Sequence, residues 1–360
     1  MSLEKVANYA GVSTATVSRV LNSVPVVSPS TIRVVREAID ALKYDPEVVR
    51  RGPRPGFRQS RTKAPGMIAI VAVGVSPDRP RSISHDVIEA IIRSAKKNGL
   101  RVLMEHMQDL ADMSTIVRNR EVQGAVAMLV DDAPLNVLDE MNRFVPVIWG
   151  MGGQAGPVGV DHISENNSAV GYLAQDYLRS QGCRDVAFLS AVPHKRNAIQ
   201  RAQSFMAASE GFQRCRSFIL HGSEFVRGLY GPNVTAASDL TALVGALCAS
   251  KPPEGLFVDR DSTTARVYPL LSRFGLEPGR DIKIVSCDND ELALSGLSPR
   301  PATIDLGIPE LASMIVQRLL ARINHCDESP ICLQTLPKLH PAETEIDKRR
   351  FRQPELALPV

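Results

Sequence analysis

An all-α helix-turn-helix unit followed by an α/β unit of two doubly wound lobes is the architecture that this 360-residue sequence predicts. Three observations carry it. Residues 2–46 hold three short apolar patterns of helical period, the first two separated by a glycine turn. From Met67 onward, short apolar runs alternate with amphipathic helical patterns, twice over. Charge divides the same way: residues 1–65 carry eleven Lys/Arg against five Asp/Glu, and the rest 31 against 34, so a basic end precedes a mildly acidic body.

In the first helix Leu3, Val6, Ala7 and Ala10 recur at i, i+3, i+4 and i+7, and Ser2 can cap it. Gly11 permits a sharp turn. In "GVSTATVSRVLN", Gly11 to Asn22, Val17, Val20 and Leu21 share the inward face and Ser13 is the N-cap. The opposite face carries Ala15, Ser18, Arg19 and Asn22, flanked by Thr14 and Thr16. Ser28 and Pro29 open a third helix whose stripe is Ile32, Val35, Ile39 and Leu42, with Arg33 and Arg36 outside it. Such a unit is either a solvated cap on a larger domain or a DNA reader. The small polar face, the arginines and the tight turn together favour DNA.

"SLEKVANYAGVSTATVSRVLN" and "VSPSTIRVVREAIDALKYDP" resemble the headpiece of the LacI/GalR family of bacterial transcription regulators. Nearly every position of the family pattern is matched over residues 2–46. One departure is Lys5, where the family usually has aspartate, so a local capping contact is lost. The resemblance implies that Thr14 and Ala15 are the variable base-reading pair. Arg19 can pair bidentately with guanine O6 and N7 in the major groove. Ser13, Thr16, Ser18, Asn22, Ser28 and Thr31 are assigned to phosphate contacts, although each of these hydroxyls reads equally well as a helix cap or back-bond.

The sequence divides into a headpiece (1–48), a basic hinge linker (49–65), a two-lobed effector-binding and dimerisation unit (66–348) and a C-terminal tail (349–360). From Arg50 to Lys63 the linker has six basic residues and no acidic one. Family members usually form a hinge helix here, with a leucine wedged into the minor groove. Aligned from Tyr44 and Pro46, that leucine falls at Pro53, and Gly52, Pro55 and Gly56 oppose a regular helix. Arg51 and Arg54 suit an extended minor-groove arm, with Phe57 a weaker candidate for a wedge. The competing reading is a flexible basic tether that adds only counterion-release affinity.

The runs "MIAIVAVG", "RVLMEHM", "GAVAMLV" and "VPVIWGM" read as buried parallel strands, with the helix "SHDVIEAIIRSAKKNGL" turning Val87, Ile91, Ile92 and Ala95 inward. After "VGVDHISENN" the series repeats: helix 166–182, "DVAFLSA", helix 195–210, "SFILHG", helix 235–250, "GLFVD", helix 262–275 and "IKIVSCDN". This is similar to the family's periplasmic-binding-protein-like effector domain. That fold crosses between lobes three times, so helix 308–324 is expected to return to the first lobe. By the same resemblance, "RAQSF" places Arg201 as an effector clamp, with Ser204 where the family has glycine, and "SCDND" places Asp288 as the carboxylate for ligand hydroxyls. The two are expected on opposite sides of the cleft, although each also reads as part of a structural ion pair. "FVDRD" puts Arg260 where the family has an amide, which favours an acidic ligand unless Asp259 and Asp261 absorb its charge. Arg79 and Arg81 add positive charge to the first loop, and Phe225 is a candidate to stack on a sugar ring.

Enzyme motifs are missing: the chain has no GxxxxGK[ST], GxSxG or HExxH, and no metal spacing among its seven histidines. No cofactor or metal is expected. Six scattered cysteines without CxxC fit a reducing compartment, and neither a signal segment nor an 18-residue apolar run is present. The expectation is a cytoplasmic, homodimeric repressor that binds a palindromic double-stranded operator and a sugar or sugar derivative, and has no membrane association. Its alternatives are a regulator with a degenerate, ligand-independent cleft, a solute-binding module and a sugar-processing enzyme with a DNA tether.

Overall fold

Three short helices around one small apolar centre open the chain: α1 (Leu3–Tyr9), α2 (Thr14–Leu21) and α3 (Pro29–Ala41). The structure is a computed structural model that describes residues 3–21, 27–42, 66–74, 83–107, 112–113, 115–129, 135–152, 159–221, 223–249, 251–325 and 329–344. It divides into two units, Met1–Ala64 and Pro65–Val360. In the first, Val6, Ala7, Val17, Val20, Val35 and Ala38 are buried, with Leu21, Ile32, Ile39 and Leu42 packed against them. The stripe of α3 thus centres on Val35 and Ala38, one position round from the sequence expectation. Gly11 sits at φ +62°, the left-handed conformation that the turn between α1 and α2 requires.

The second unit begins with β1 (Met67–Val73), α4 (Ile83–Lys97), β2 (Arg101–Met107), α5 (Thr115–Arg118), β3 (Ala125–Leu129), α6 (Asn136–Asn142), β4 (Val147–Gly150) and β5 (Asp161–Glu165). It continues with α7 (Asn167–Ser180), β6 (Asp185–Ser190), α8 (Arg196–Ala207), β7 (Arg214–Leu220), α9 (Glu224–Gly228), β8 (Val234–Ala237), α10 (Leu240–Cys248) and β9 (Gly255–Val258). Then come α11 (Asp261–Arg273), β10 (Lys283–Cys287), α12 (Glu291–Leu294), β11 (Ala302–Asp305), α13 (Ile308–Asn324), β12 (Cys332–Thr335) and β13 (Lys338–His340).

Two sheets result, ordered β12-β5-β4-β3-β1-β2 and β13-β11-β10-β9-β6-β7-β8. Every pairing is parallel except β11 with β13. Strand order reverses between β1 and β3 in one sheet and between β6 and β9 in the other. These are the points where doubly wound sheets bind ligands, outside their carboxyl ends. Apolar clusters cover both faces of each sheet. Behind the second switch point, Phe188 and Phe257 meet edge to face at 5.2 Å, and Phe205 and Tyr230 complete the group.

The chain crosses between the lobes three times, from β5 to α7, from β11 to α13 and from β12 to β13. Hydrogen bonds lace the crossings: Asn166 N–H donates to the Thr335 carbonyl at 3.1 Å, and the Thr335 hydroxyl to the Leu306 carbonyl at 3.1 Å. Helix α13 does return to the first lobe, where Leu311, Ala312, Ile315, Val316 and Leu319 join the core formed by α4 and β1.

Two elements differ from the sequence reading. The stretch 235–250 is not one helix: β8 pairs beside β7, and α10 starts only at Leu240, capped by Asp239. "DHISE", read as part of a connection, is a strand buried along its whole length. Its polarity is matched inside the fold. Asp161 accepts from Arg318 Nε at 2.8 Å, Arg322 Nε at 2.7 Å and the Ile331 N–H at 2.7 Å. Burial opposes the Asp161 charge, but the two guanidinium groups prevail and hold its pKa below the usual carboxylate value. His162 stacks on Trp149 at 3.9 Å, and burial pushes its pKa down.

Candidate functional site

The headpiece presents its hydroxyl groups at the starts of α2 and α3. Ser13 Oγ accepts the Thr16 N–H at 3.1 Å and meets the Thr16 hydroxyl at 2.9 Å. Ser28 Oγ accepts the Thr31 N–H at 3.3 Å and meets the Thr31 hydroxyl at 2.8 Å. Ser13 and Ser28 therefore cap α2 and α3, with the Thr16 and Thr31 hydroxyls bonded to the cap oxygens, and Ser13, Thr14 and Ser28 are exposed. Arg19 is exposed on α2 and has no ion-pair partner among the described residues. Neither α2 nor α3 has an acidic residue in its first turn, so nothing there opposes the positive end of the helix dipole. The side chains of Ala15 and Ser18, and all of Asn22, Arg51, Arg54, Phe57, Arg79 and Arg81, lie outside what the structure describes.

In the two-lobed unit, the site forms at the carboxyl ends of β6, β9 and β10. Arg201, on α8, is only 1% exposed. Its Nε donates to Asn167 Oδ1 at 2.9 Å, and its Nη1 to the Asp259 carbonyl at 2.5 Å and to Asp288 Oδ1 at 3.4 Å. Burial opposes the charge on Arg201, but acidic neighbours including Asp288, Glu165 and Asp259 hold its pKa above the ordinary value. Asp288 follows β10 at φ +113°, a strained conformation for a side chain with a Cβ. It is held there by its N–H bond to the Ile304 carbonyl at 3.0 Å and by Asn289 N–H bonding to Thr303 Oγ1 at 3.2 Å.

Arg201 and Asp288 do not face each other across the cleft, as the sequence reading supposed. Both belong to the second lobe, because α8 and β10 flank the same sheet, and they form an ion pair with each other. Ser204 stands where a glycine was expected because Gly171 supplies the space from the other side. A Cβ on Gly171 would overlap Ser204 Oγ and the Arg201 carbonyl, so α7 and α8 approach each other through that residue.

Arg260 precedes α11 and has a side chain 19% exposed. Its Nε lies 3.4 Å from Asp259 Oδ2 and its Nη2 3.5 Å from Asn197 Oδ1. Its charge faces Asp259 within its own loop, the arrangement that the sequence left open as the alternative to an acidic ligand. Asp261 turns away and accepts from the Asp290 N–H at 2.7 Å and the Thr303 hydroxyl at 3.0 Å. Burial raises the Asp261 carboxyl to about 7, helped by the nearby Asp288 charge. Burial likewise raises Asp288 to about 6, against the pull of Arg201 and Arg260. Phe225, on α9, is 77% exposed, so its ring is accessible but covered by nothing.

Residues 2–47 match the model described as bacterial regulatory proteins, lacI family, and residues 175–344 match that of a periplasmic binding protein-like domain. The chain thus joins a lacI-family regulatory domain to a periplasmic binding protein-like domain. The HTH-type transcriptional repressor PurR of Edwardsiella ictaluri (strain 93-146) is 26% identical over 344 residues, covering 94% of this chain and 95% of the relative. PurR of Yersinia enterocolitica gives the same identity and coverage. Among solved structures, a transcriptional regulator CelR-cellobiose complex matches with TM-score 0.59 and 19% identity, covering 95% of this chain and 99% of that one. A lac repressor dimer bound to operator and the anti-inducer ONPF matches with TM-score 0.59 and 20% identity, covering 96% and 98%. At these identities the structural likeness establishes the fold of the chain.

Sequence reasoning missed Asn167, Ser190 and Glu165. Ser190 Oγ donates to Asp259 Oδ2 at 2.8 Å, and Asn167 Nδ2 donates to Glu165 Oε1 at 3.2 Å. The signal for Asn167 was the "ENN" run: Asn166 caps α7 by accepting the Ala169 N–H at 2.9 Å. That fixes Asn167 as the first residue of the helix.

Proposed function

We propose that this protein is a sequence-specific, homodimeric transcriptional repressor whose affinity for a palindromic operator is set by a small hydroxylated effector bound between the two lobes. The observation that carries it is the conjunction in one chain of a capped helix-turn-helix unit, whose exposed Arg19 has no ion-pair partner among the described residues, and a two-lobed unit whose three crossings are laced together. Thr14 and Ala15 set base preference, Arg19 reads a guanine, and Ser13, Thr16, Ser18, Asn22, Ser28 and Thr31 hold phosphates. Arg51 and Arg54 reach the minor groove. Two copies are needed because one headpiece reads half of a palindrome.

In the cleft, Asp288 and Arg260 offer the accessible polar groups, Arg201 positions Asp288, and Phe225 offers a stacking face. An acceptor and a donor side by side suit vicinal hydroxyls. Proteins of this fold described with cellobiose and with ribose support a sugar-like effector. Binding that favours one lobe arrangement changes operator affinity by the ratio of its affinities for the two arrangements. The test is anisotropy of the full chain on its palindromic duplex across a sugar panel. A sugar that shifts duplex affinity in the wild type but not in Asp288→Asn supports the reading. A sugar that binds with no change in duplex affinity removes the effector from control.

A further inference from the structure

Carboxylates outnumber guanidinium groups around Arg201. Among the described residues the cluster holds Glu165, Asp259, Asp261 and Asp288 against Arg201 and Arg260. Glu165 is 2% exposed and Asp259 and Asp261 are fully buried, so water does little to screen them. Two oxygens of this cluster, Glu165 Oε2 and Asp259 Oδ1, are buried without a hydrogen-bond partner. A buried carboxylate oxygen that lacks a donor is costly, and the cost falls when a cation or donor approaches.

The internal cations are already committed. Arg201 uses Nε and Nη1 on Asn167, Asp259 and Asp288, and Arg260 faces Asp259 and Asn197. Of the four carboxylates Asp288 has the accessible side chain, 10% exposed, whereas Glu165, Asp259 and Asp261 are buried. We infer that the effector carries a cationic amine beside its hydroxyl groups, an amino sugar or amino polyol, and that the ammonium seats on Asp288. This rests on the effector reading proposed above and names the chemical class within it. Burial, more than any neighbouring charge, raises Asp288 to about 6 and Asp261 to about 7. An anionic sugar meets the opposite field: it must displace Asp259 from Arg260 while facing Asp288.

Calorimetry on the full chain at neutral pH tests this with ring-matched probes: glucose, glucosamine and glucuronate, and their galactose counterparts. Within a series the amine binds tightest and the acid weakest, with about tenfold or more between them for one charge reversal in a partly solvated site. Asp288→Asn erases the advantage of amine over neutral sugar. Arg260→Gln, which removes a repelling cation, increases it by about three- to tenfold. Because that variant is expected to tighten binding, damage to the fold cannot imitate the result. An acid that binds tightest, or an amine advantage unmoved by Arg260→Gln, overturns the amine inference and leaves the effector reading in place. Sugars that bind equally well to wild type, Asp288→Asn and Arg260→Gln overturn both.

Discussion

The headpiece and the two-lobed unit use arginine in opposite ways. Arg19 is exposed on α2 and has no ion-pair partner among the described residues, with a small apolar cluster behind it. Arg201 is buried, bonded to Asn167, Asp259 and Asp288, and surrounded by acidic groups. An exposed guanidinium keeps its donors for a partner, so its loss is felt in binding and hardly in folding. A buried one has its donors committed to the protein, so its loss leaves carboxylates without a counter-charge. The same residue type is thus open to a partner in one unit and committed to the fold in the other.

The largest expected effect breaks the second unit. Arg201→Ala should destabilise the protein by about 3–5 kcal/mol, as removal of one partner from a buried charge network does. Urea unfolding of the full chain measures it. A loss below about 1 kcal/mol would show that the cluster relaxes and that Arg201 is not what holds Asp288 in place.

A pH series sharpens the comparison within the two-lobed unit. Asp288 and Asp261 titrate near 6 and 7 when folded, above the unfolded value of about 3.9, so between those limits the folded protein holds more protons. The stability they contribute is complete below about pH 4 and is lost as pH rises through 6 and 7. Thermal melting of the full chain should therefore fall by several degrees from mildly acidic to mildly alkaline buffer. Asp261→Asn should flatten that fall. Asp161 acts with the opposite sign: its pKa is depressed, so its contribution stands above about pH 4 and is lost only on further acidification.

The smallest expected effect belongs to the linker. Replacing Arg51 and Arg54 by Ala should reduce the slope of log affinity against log salt by about two, through two fewer phosphate or groove contacts. If both sit in the minor groove, discrimination between A·T and G·C at the operator centre disappears as well. A reduced slope with unchanged central preference would identify the segment as a tether.

The headpiece was legible in the sequence because its parts are local. The cap at Ser13, the turn at Gly11 and the stripe of Val17, Val20 and Leu21 all lie within a dozen residues. The lobes were legible from their apolar runs, such as Met67–Val73 and Asp185–Ser190, since parallel strands are buried on both faces. Strand β5 was not, because Asp161 becomes buried only through Arg318 and Arg322, far along the chain on α13. The cleft was legible as single residues and not as a geometry. Arg201 and Asp288 were identified, but their pairing depends on Asn167, Gly171 and Asp259, which reach them from three other elements. Periodicity carries no information about such contacts.

Selection of binding sites from random duplex DNA by the full chain, followed by affinity measurement at fixed salt, tests the central claim most directly. The account predicts a palindromic site bound about a thousandfold or more tighter than random duplex. It also predicts that Arg19→Ala loses about 1–3 kcal/mol on that site, at one base pair per half-site, with melting temperature and random-duplex affinity unchanged. Equal affinity for selected and random duplexes, or equal loss on both in Arg19→Ala, would contradict it.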